Sequence, residues 1–195
     1  MFVKICGLTT RDAVQAAVTS GADALGFVFA RSVRRLTPEQ AAELCRGLPG
    51  GIARVAVMRH PTPAEWMAVR DCFGPDWLQT DAEDFAELEL HAGCAPLPVY
   101  RNGGGPPPGG GRVLFEGAVS GSGTAADWQE AARIAATTEL ILAGGLDCDN
   151  VAEAIHAVAP WGVDVSSGVE RAPGLKDPEK IEVFIARARA AEGSR

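Results

Sequence analysis

The chain has 195 residues, with Lys+Arg 18 against Asp+Glu 25 and a formal net charge of −7. That length fits one domain with a full core. The acidic balance, with no basic run anywhere, argues against a nucleic-acid or anionic-membrane surface as the basis of function.

No stretch approaches the ~18 consecutive apolar residues of a membrane span, and the start Met1-Phe2-Val3-Lys4-Ile5-Cys6 lacks the form of a signal peptide. The five cysteines, Cys6, Cys45, Cys72, Cys94 and Cys148, are scattered and form no C-x-x-C. Neither a disulfide framework nor a zinc site is therefore expected, and the scattered carboxylates show no metal-site spacing. The expectation is a cytoplasmic protein with reduced thiols and no metal.

Taken in order, Phe2–Cys6 is a short apolar run stopped by Gly7 and reads as a strand. Thr9 or Thr10 caps a helix that runs to about Ser20 and ends at Gly21. Asp23–Phe29 is a nearly all-apolar strand, the pattern of a strand covered on both faces. The basic loop Arg31-Ser32-Val33-Arg34-Arg35 follows. Thr37-Pro38-Glu39-Gln40 starts a helix, with Thr at the cap, Pro at the first position and Gln at the third; Gly47 closes it. Ile52–Met58 is a strand and Pro63 to about Cys72 a helix. A weak strand at Trp77–Gln79 precedes an expected helix at Ala82–Leu90, and Leu97–Tyr100 is a brief strand.

Asn102 to Gly111 is glycine and proline apart from its first residue and cannot be helical, because these are the two worst helix formers. Val113–Glu116 is the next strand, so the fifth crossover is expected to lack its helix and to be poorly ordered. Extended at about 3.3 Å per residue, that segment is long enough to return along a strand. Gly117–Gly123 reads as a flexible loop. Asp127 to about Thr137 is a helix, Glu139–Ala143 a strand, Asp149–Val158 a helix, Gly162–Val165 a strand and Pro178–Ala190 a helix.

This alternation implies a parallel sheet, and eight strands favour closure into a (βα)8 barrel, one α/β domain over residues 1–195. No G-x-G-x-x-G follows the first strand, which weakens a Rossmann reading. In such a barrel, function sits at the C-terminal strand ends, with phosphate held by the loops after the last two strands. Those loops are Ala143-Gly144-Gly145 and Asp164-Val165-Ser166-Ser167-Gly168. Small-residue turns at strand ends present backbone N–H groups to an anion, so Gly144, Gly145, Ser166, Ser167 and Gly168 are the expected phosphate cradle.

Alternation puts Lys4 and Cys6 on one face. Lys4 is too polar for the helix-facing side, so that face is expected to be the barrel interior. A cation nearby favours a thiolate at Cys6, whereas burial opposes it. Glu116 shares a face with Leu114, leaving Val113 and Phe115 outward. A thiol and a carboxyl group across a barrel mouth, beside a phosphate cradle, suit proton transfer on a phosphosugar. The residues alone leave open that Cys6 is a small core residue and Glu116 a rim charge. His60, His91 and His156 are expected at the surface.

Lys4-Ile5-Cys6-Gly7-Leu8-Thr9, Gly21–Phe29, Ser32-Val33-Arg34 before Thr37-Pro38-Glu39-Gln40-Ala41, Ala143-Gly144-Gly145-Leu146 and Val163–Glu170 together resemble the phosphoribosylanthranilate isomerase family of tryptophan biosynthesis. The resemblance covers about 1–48 and 113–190. It implies a cofactor-independent Amadori rearrangement of N-(5-phosphoribosyl)anthranilate to 1-(2-carboxyphenylamino)-1-deoxyribulose 5-phosphate. It further implies Cys6 as general base, Glu116 as general acid and Arg34 on the anthranilate side; Asp164, within a matching motif, takes a binding role. The partner is then a small phosphosugar rather than nucleic acid or membrane, and the protein a monomer or homodimer. Three departures stand out. Glu116 occupies the place of the family's aspartate, Leu78-Gln79-Thr80-Asp81 replaces the family's Q-L-H-G, and the fifth helix is missing. Asp81 is a candidate substitute acid. The alternatives are an isomerase of another phosphosugar and a barrel that binds a phosphate ligand without catalysis.

Overall fold

Eight parallel strands close on themselves in sequence order in the computed structural model, which describes residues 1–103, 111–117 and 126–193. The strands are β1 (Phe2–Cys6), β2 (Ala24–Val28), β3 (Ala53–Val57), β4 (Trp77–Asp81), β5 (Ala95–Arg101), β6 (Arg112–Glu116), β7 (Glu139–Leu142) and β8 (Gly162–Val165). β8 pairs back onto β1, with Lys4 opposite Asp164. A small antiparallel hairpin, β9 (Glu170–Ala172) and β10 (Leu175–Lys176), follows β8 and was not legible in the sequence. No helix among the described residues is long and apolar enough to cross a membrane.

Among the described residues, six α-helices pack outside: α1 (Arg11–Thr19), α2 (Pro38–Leu44), α3 (Pro63–Phe73), α4 (Trp128–Ala135), α5 (Val151–Val158) and α6 (Pro178–Glu192). Their starts follow local chemistry. Thr10 caps α1 by accepting from the Ala13 N–H. Thr37 and Gln40 form a reciprocal capping box on α2, and Thr62 and Glu65 form another on α3.

Strand alternation divides the apolar side chains into two populations. Val3, Ile5, Val113 and Phe115 point outward into the core shared with the helices. Ala24, Val55, Leu97, Val99, Leu114 and Ile141 fill the barrel interior. Leu114, and with it the face of Glu116, is therefore inward as expected. The N-terminal end of the barrel is plugged. Phe2 stacks on Trp77 and Trp161 with ring centroids 5.3 and 4.6 Å apart, and the Arg112 guanidinium lies 4.5 and 4.2 Å from the same two indoles. Such cation–π contacts stabilise by roughly 0.5–2 kcal/mol each. They shut one end, which leaves the other for ligands.

Two connections depart from a regular barrel. The helix expected over Ala82–Leu90 is only a 3-10 turn, Ala82–Ala86. Asp84 explains this, because its carboxylate accepts from the His60 N–H and the Thr80 hydroxyl at 3.1 and 2.5 Å. Side-chain bonds of this kind compete with helix propagation. The strand before it is longer than expected, reaching Asp81. Among the described residues no helix joins β5 to β6; the expected disorder of the Gly/Pro segment falls on 104–110, and most of the expected flexible loop on 118–125, both outside the described residues.

Candidate active site

A cavity of about 200 Å³ opens at the C-terminal end of the barrel. Its wall includes Cys6, Arg34, Glu116, Gly144, Gly145, Asp164, Ser166 and Ser167. Eight of the nine expected site residues thus meet at one cavity, although they come from strands 1, 2, 6, 7 and 8. Gly168 does not line it. Instead Gly168 bridges to Asp147, and a Cβ there would sit 2.0 Å from the Leu146 carbonyl oxygen. It lets the β7 and β8 loops touch. Gly168→Ala is expected to cost about 1–3 kcal/mol by forcing them apart, lowering Tm by several degrees and weakening anion binding. Thermal unfolding with and without inorganic phosphate measures both effects.

The Gly144-Gly145 turn has φ of +85° and +69°, a backbone that only glycine adopts without strain. Asn150 donates its side-chain N–H to the Gly145 carbonyl at 2.8 Å, which fixes the turn. Opposite it, Ser166 is held by a residue that the sequence did not single out. Lys176, 3% exposed, donates to the Ser166 carbonyl, the Ser166 hydroxyl and Glu170 at 2.9, 3.1 and 2.9 Å.

Glu170 is also gripped by Arg34, whose Nε and one terminal nitrogen donate to its two oxygens at 2.6 and 2.9 Å. This bidentate geometry is the strong form of the pair. Arg34, expected on the anthranilate side, therefore lines the cavity while clasping the β2 loop to the β8 loop. Burial opposes ionisation of Glu170, but hydrogen bonds from Arg34 and Lys176 outweigh it and bring its pKa down to about 2. Lys176 behaves differently: burial holds its ammonium below the ordinary lysine range despite Glu170. The carboxylate, with two cations, is the partner whose charge the clasp secures.

A carboxylate depressed in the folded state stabilises fully above its unfolded pKa, and that contribution disappears as pH falls through the folded value. Stability is therefore expected to fall between pH 4.5 and about 2, and Glu170→Gln to be less stable at neutral pH but to lose less across that window. Denaturant unfolding at a series of pH values checks this.

Below Cys6, Lys4 is wholly buried and donates to Asp164 at 2.7 Å. A Cβ on Gly26, the partner of Cys6 across the strand pair, would lie 3.0 Å from Cys6 Sγ and 3.2 Å from Lys4 Nζ. Thiol and ammonium therefore share the space that Gly26 leaves. The sequence left two opposing influences on Cys6, and burial prevails. It pushes the thiol above its ordinary pKa, more than Lys4 pulls it down. Asp164 accounts for part of this, since it already neutralises Lys4 and itself disfavours the thiolate.

Across the mouth, Glu116 and Arg101 are register partners. The Arg101 guanidinium sits 2.5 Å from Asp81 Oδ1 and 3.1 Å from Glu116 Oε1. The other Asp81 oxygen lies 3.0 Å from His60 Nε2, and His60 Nδ1 lies 3.0 Å from Asp84. Hydrogen bonding to Asp84 raises the pKa of the exposed His60 ring. Folding brings His60, Asp81 and Glu83 close enough to offer three metal-ligand atoms, which their spacing did not suggest; Asp81 is already paired with the Arg101 cation. Arg101 was missed, yet the alternation Leu97, Val99, Arg101 points it inward. Gln79 was missed too. It lines the cavity, and its Oε1 is buried with no hydrogen-bond partner among the described residues.

The arrangement brings a thiol from β1 and a carboxyl group from β6 to one cavity, together with the small-residue loops after β7 and β8. A model of N-(5'-phosphoribosyl)anthranilate isomerase matches residues 110–187. The N-(5'-phosphoribosyl)anthranilate isomerase of Streptococcus pneumoniae (strain Taiwan19F-14) is 41% identical over 190 residues, 96% of this chain and 95% of its own. The crystal structure of phosphoribosyl anthranilate isomerase from Thermus thermophilus superposes with a TM-score of 0.84 at 32% identity, covering 97% of this chain and 99% of its own. A further phosphoribosyl anthranilate isomerase, solved with reduced 1-(o-carboxyphenylamino)-1-deoxyribulose 5-phosphate, gives 0.76 at 28% identity over the same shares. A barrel of this topology, matched at such identity over nearly its whole length, belongs to the phosphoribosylanthranilate isomerase family.

Proposed function

We propose that this chain converts N-(5-phosphoribosyl)anthranilate to 1-(2-carboxyphenylamino)-1-deoxyribulose 5-phosphate, with Cys6 as general base and Glu116 as general acid. The observation that carries the assignment of roles is that Cys6, Glu116 and both small-residue loops line one cavity. Backbone N–H groups around Gly144-Gly145 and Ser166-Ser167 take the phosphate, helped by the Ser167 hydroxyl. Gly168 serves by packing those loops together. Asp164 acts through Lys4, and Gln79 Oε1 accepts from a substrate hydroxyl or amine.

Glu116 gives its proton to the ribose ring oxygen as the C1–O bond breaks, leaving an iminium between C1 and the anthranilate nitrogen. The Cys6 thiolate removes the C2 proton, and that electron pair forms the C1–C2 double bond of the enolamine. The enolamine then gains a proton at C1 and loses one from the C2 hydroxyl, giving the ketone and restoring both groups. Atoms and charge balance without a redox partner, so this chain's own residues suffice for the proton transfers. Arg34 stays with Glu170 and holds the mouth in shape for the anthranilate ring.

Purified protein is expected to consume phosphoribosylanthranilate, read as loss of its fluorescence, and its gene to restore growth of a tryptophan auxotroph lacking this step. Tight binding of the reduced product without turnover would instead identify a binding barrel.

A further inference from the structure

Two acids at the mouth share one guanidinium, and the sharing is unequal. Arg101 makes its shorter contact, 2.5 Å, with Asp81, whose side chain is 3% exposed; the contact with Glu116 is 3.1 Å, and that side chain is 13% exposed. Register alone would favour the opposite outcome, because Arg101 and Glu116 are direct partners on β5 and β6 whereas Asp81 pairs with Val99. Asp81 is in turn fixed from its other side by His60, which Asp84 orients. The chain Asp84–His60–Asp81–Arg101–Glu116 runs along the ends of successive strands and finishes on the proposed acid.

We propose that Asp81 is a positioning residue that draws the Arg101 guanidinium toward β4 and so keeps its contact with Glu116 the looser of the two described, leaving Glu116 able to carry the proton it delivers. This rests on the reading of Glu116 as the acid. It also replaces the sequence-level idea of Asp81 as a substitute acid, since both its oxygens already face cations or donors.

The consequence follows from proton counting. The productive enzyme has a protonated Glu116 and a Cys6 thiolate. The alternative with the proton on sulphur carries the same number of protons, and burial favours the Cys6 thiol. The rate plateau then scales with the ratio of the two forms, and the acidic limb of the kcat/KM profile belongs to the carboxyl group. A full ion pair with arginine depresses a carboxylic acid by about 1–3 pH units. Besides Arg101 and Asp81, the charged or titratable groups on this cavity among the described residues are Cys6 on β1, Arg31 and Arg34 after β2, Arg59 after β3 and Asp164 on β8. Lys4 lies below them, and none of these is altered in the test.

Asp81→Asn keeps the shape and releases Arg101 to Glu116. The acidic limb is expected to move down by about one pH unit or more, and the plateau to fall by the same factor, about tenfold per unit. Adding Arg101→Met to Asp81→Asn is expected to return the limb to the wild-type position or above it. A rate loss with no limb shift would overturn the proposal and leave Asp81 a structural residue. Loss in Asp81→Asn that Arg101→Met does not relieve, together with near-normal turnover in Glu116→Gln, would make Asp81 the proton donor. Binding of the reduced product and thermal unfolding confirm that each variant is folded. Glu116→Gln separates the two readings: if it keeps turnover, the acid assignment fails; if it is inactive and the Asp81→Asn limb stays put, only the role of Asp81 fails.

Discussion

Cys6→Ala is expected to reduce turnover of phosphoribosylanthranilate by about 10³-fold or more, while affinity for the reduced product changes little. A positioned general base typically contributes 10²–10⁴-fold, and no other group among the described residues stands where Sγ does, above Lys4 and beside Gly26. The substitution removes one atom from a buried position at the end of β1, so the strand pairing to Gly26 persists. Although the β8 loop neighbours the change, with Ser166 Oγ 3.1 Å from where a Cβ on Gly7 would stand, its backbone is held independently by Lys176, so the proposed phosphate cradle should keep its grip. Single-turnover kinetics paired with calorimetric titration of the reduced product measure both quantities. Near-normal turnover would remove Cys6 from the role of base.

Glu116→Gln is expected to lose at least about 100-fold in kcat. The amide keeps a hydrogen bond near the ring oxygen but cannot release a proton, so ring opening proceeds without its acid. Glutamate reaches over 1 Å further than aspartate, and a 1 Å misplacement can cost 10²-fold. The contact from Arg101 supplies the restraint that the longer side chain needs. A small loss in Glu116→Gln, set against a large one in Asp81→Asn with no limb shift, would place the acid on β4.

The parts that the sequence made legible are those governed by short-range rules. Strand parity placed Lys4 and Glu116 inward because alternation is a property of the strand itself. Thr37-Pro38-Glu39-Gln40 announced α2 because its capping box is complete within four residues. What escaped depends on distant partners. The clasp at Glu170 joins residues 136 apart, and nothing local marks Lys176, next to Asp177-Pro178, as buried, because its partners Ser166 and Glu170 are brought to it only by the fold. The helix after β4 failed for a related reason: Asp84 bonds backward to Thr80 and across to His60 rather than into a helical turn. Alternation from Leu97 and Val99 puts Arg101 inward, but only if the strand runs one residue past Tyr100, and the Gly/Pro run that begins just after Arg101 leaves that strand end without a local signal.

The most direct test of the account is a crystal structure of this chain with the reduced product bound. The account predicts the phosphate against the backbone of Gly144-Gly145 and Ser166-Ser167, with Cys6 Sγ near C2 and the Glu116 carboxyl group near the oxygen at C4, on opposite sides of the sugar. A sugar bound with its C2 turned away from Cys6, or a phosphate seated elsewhere in the mouth, would contradict it.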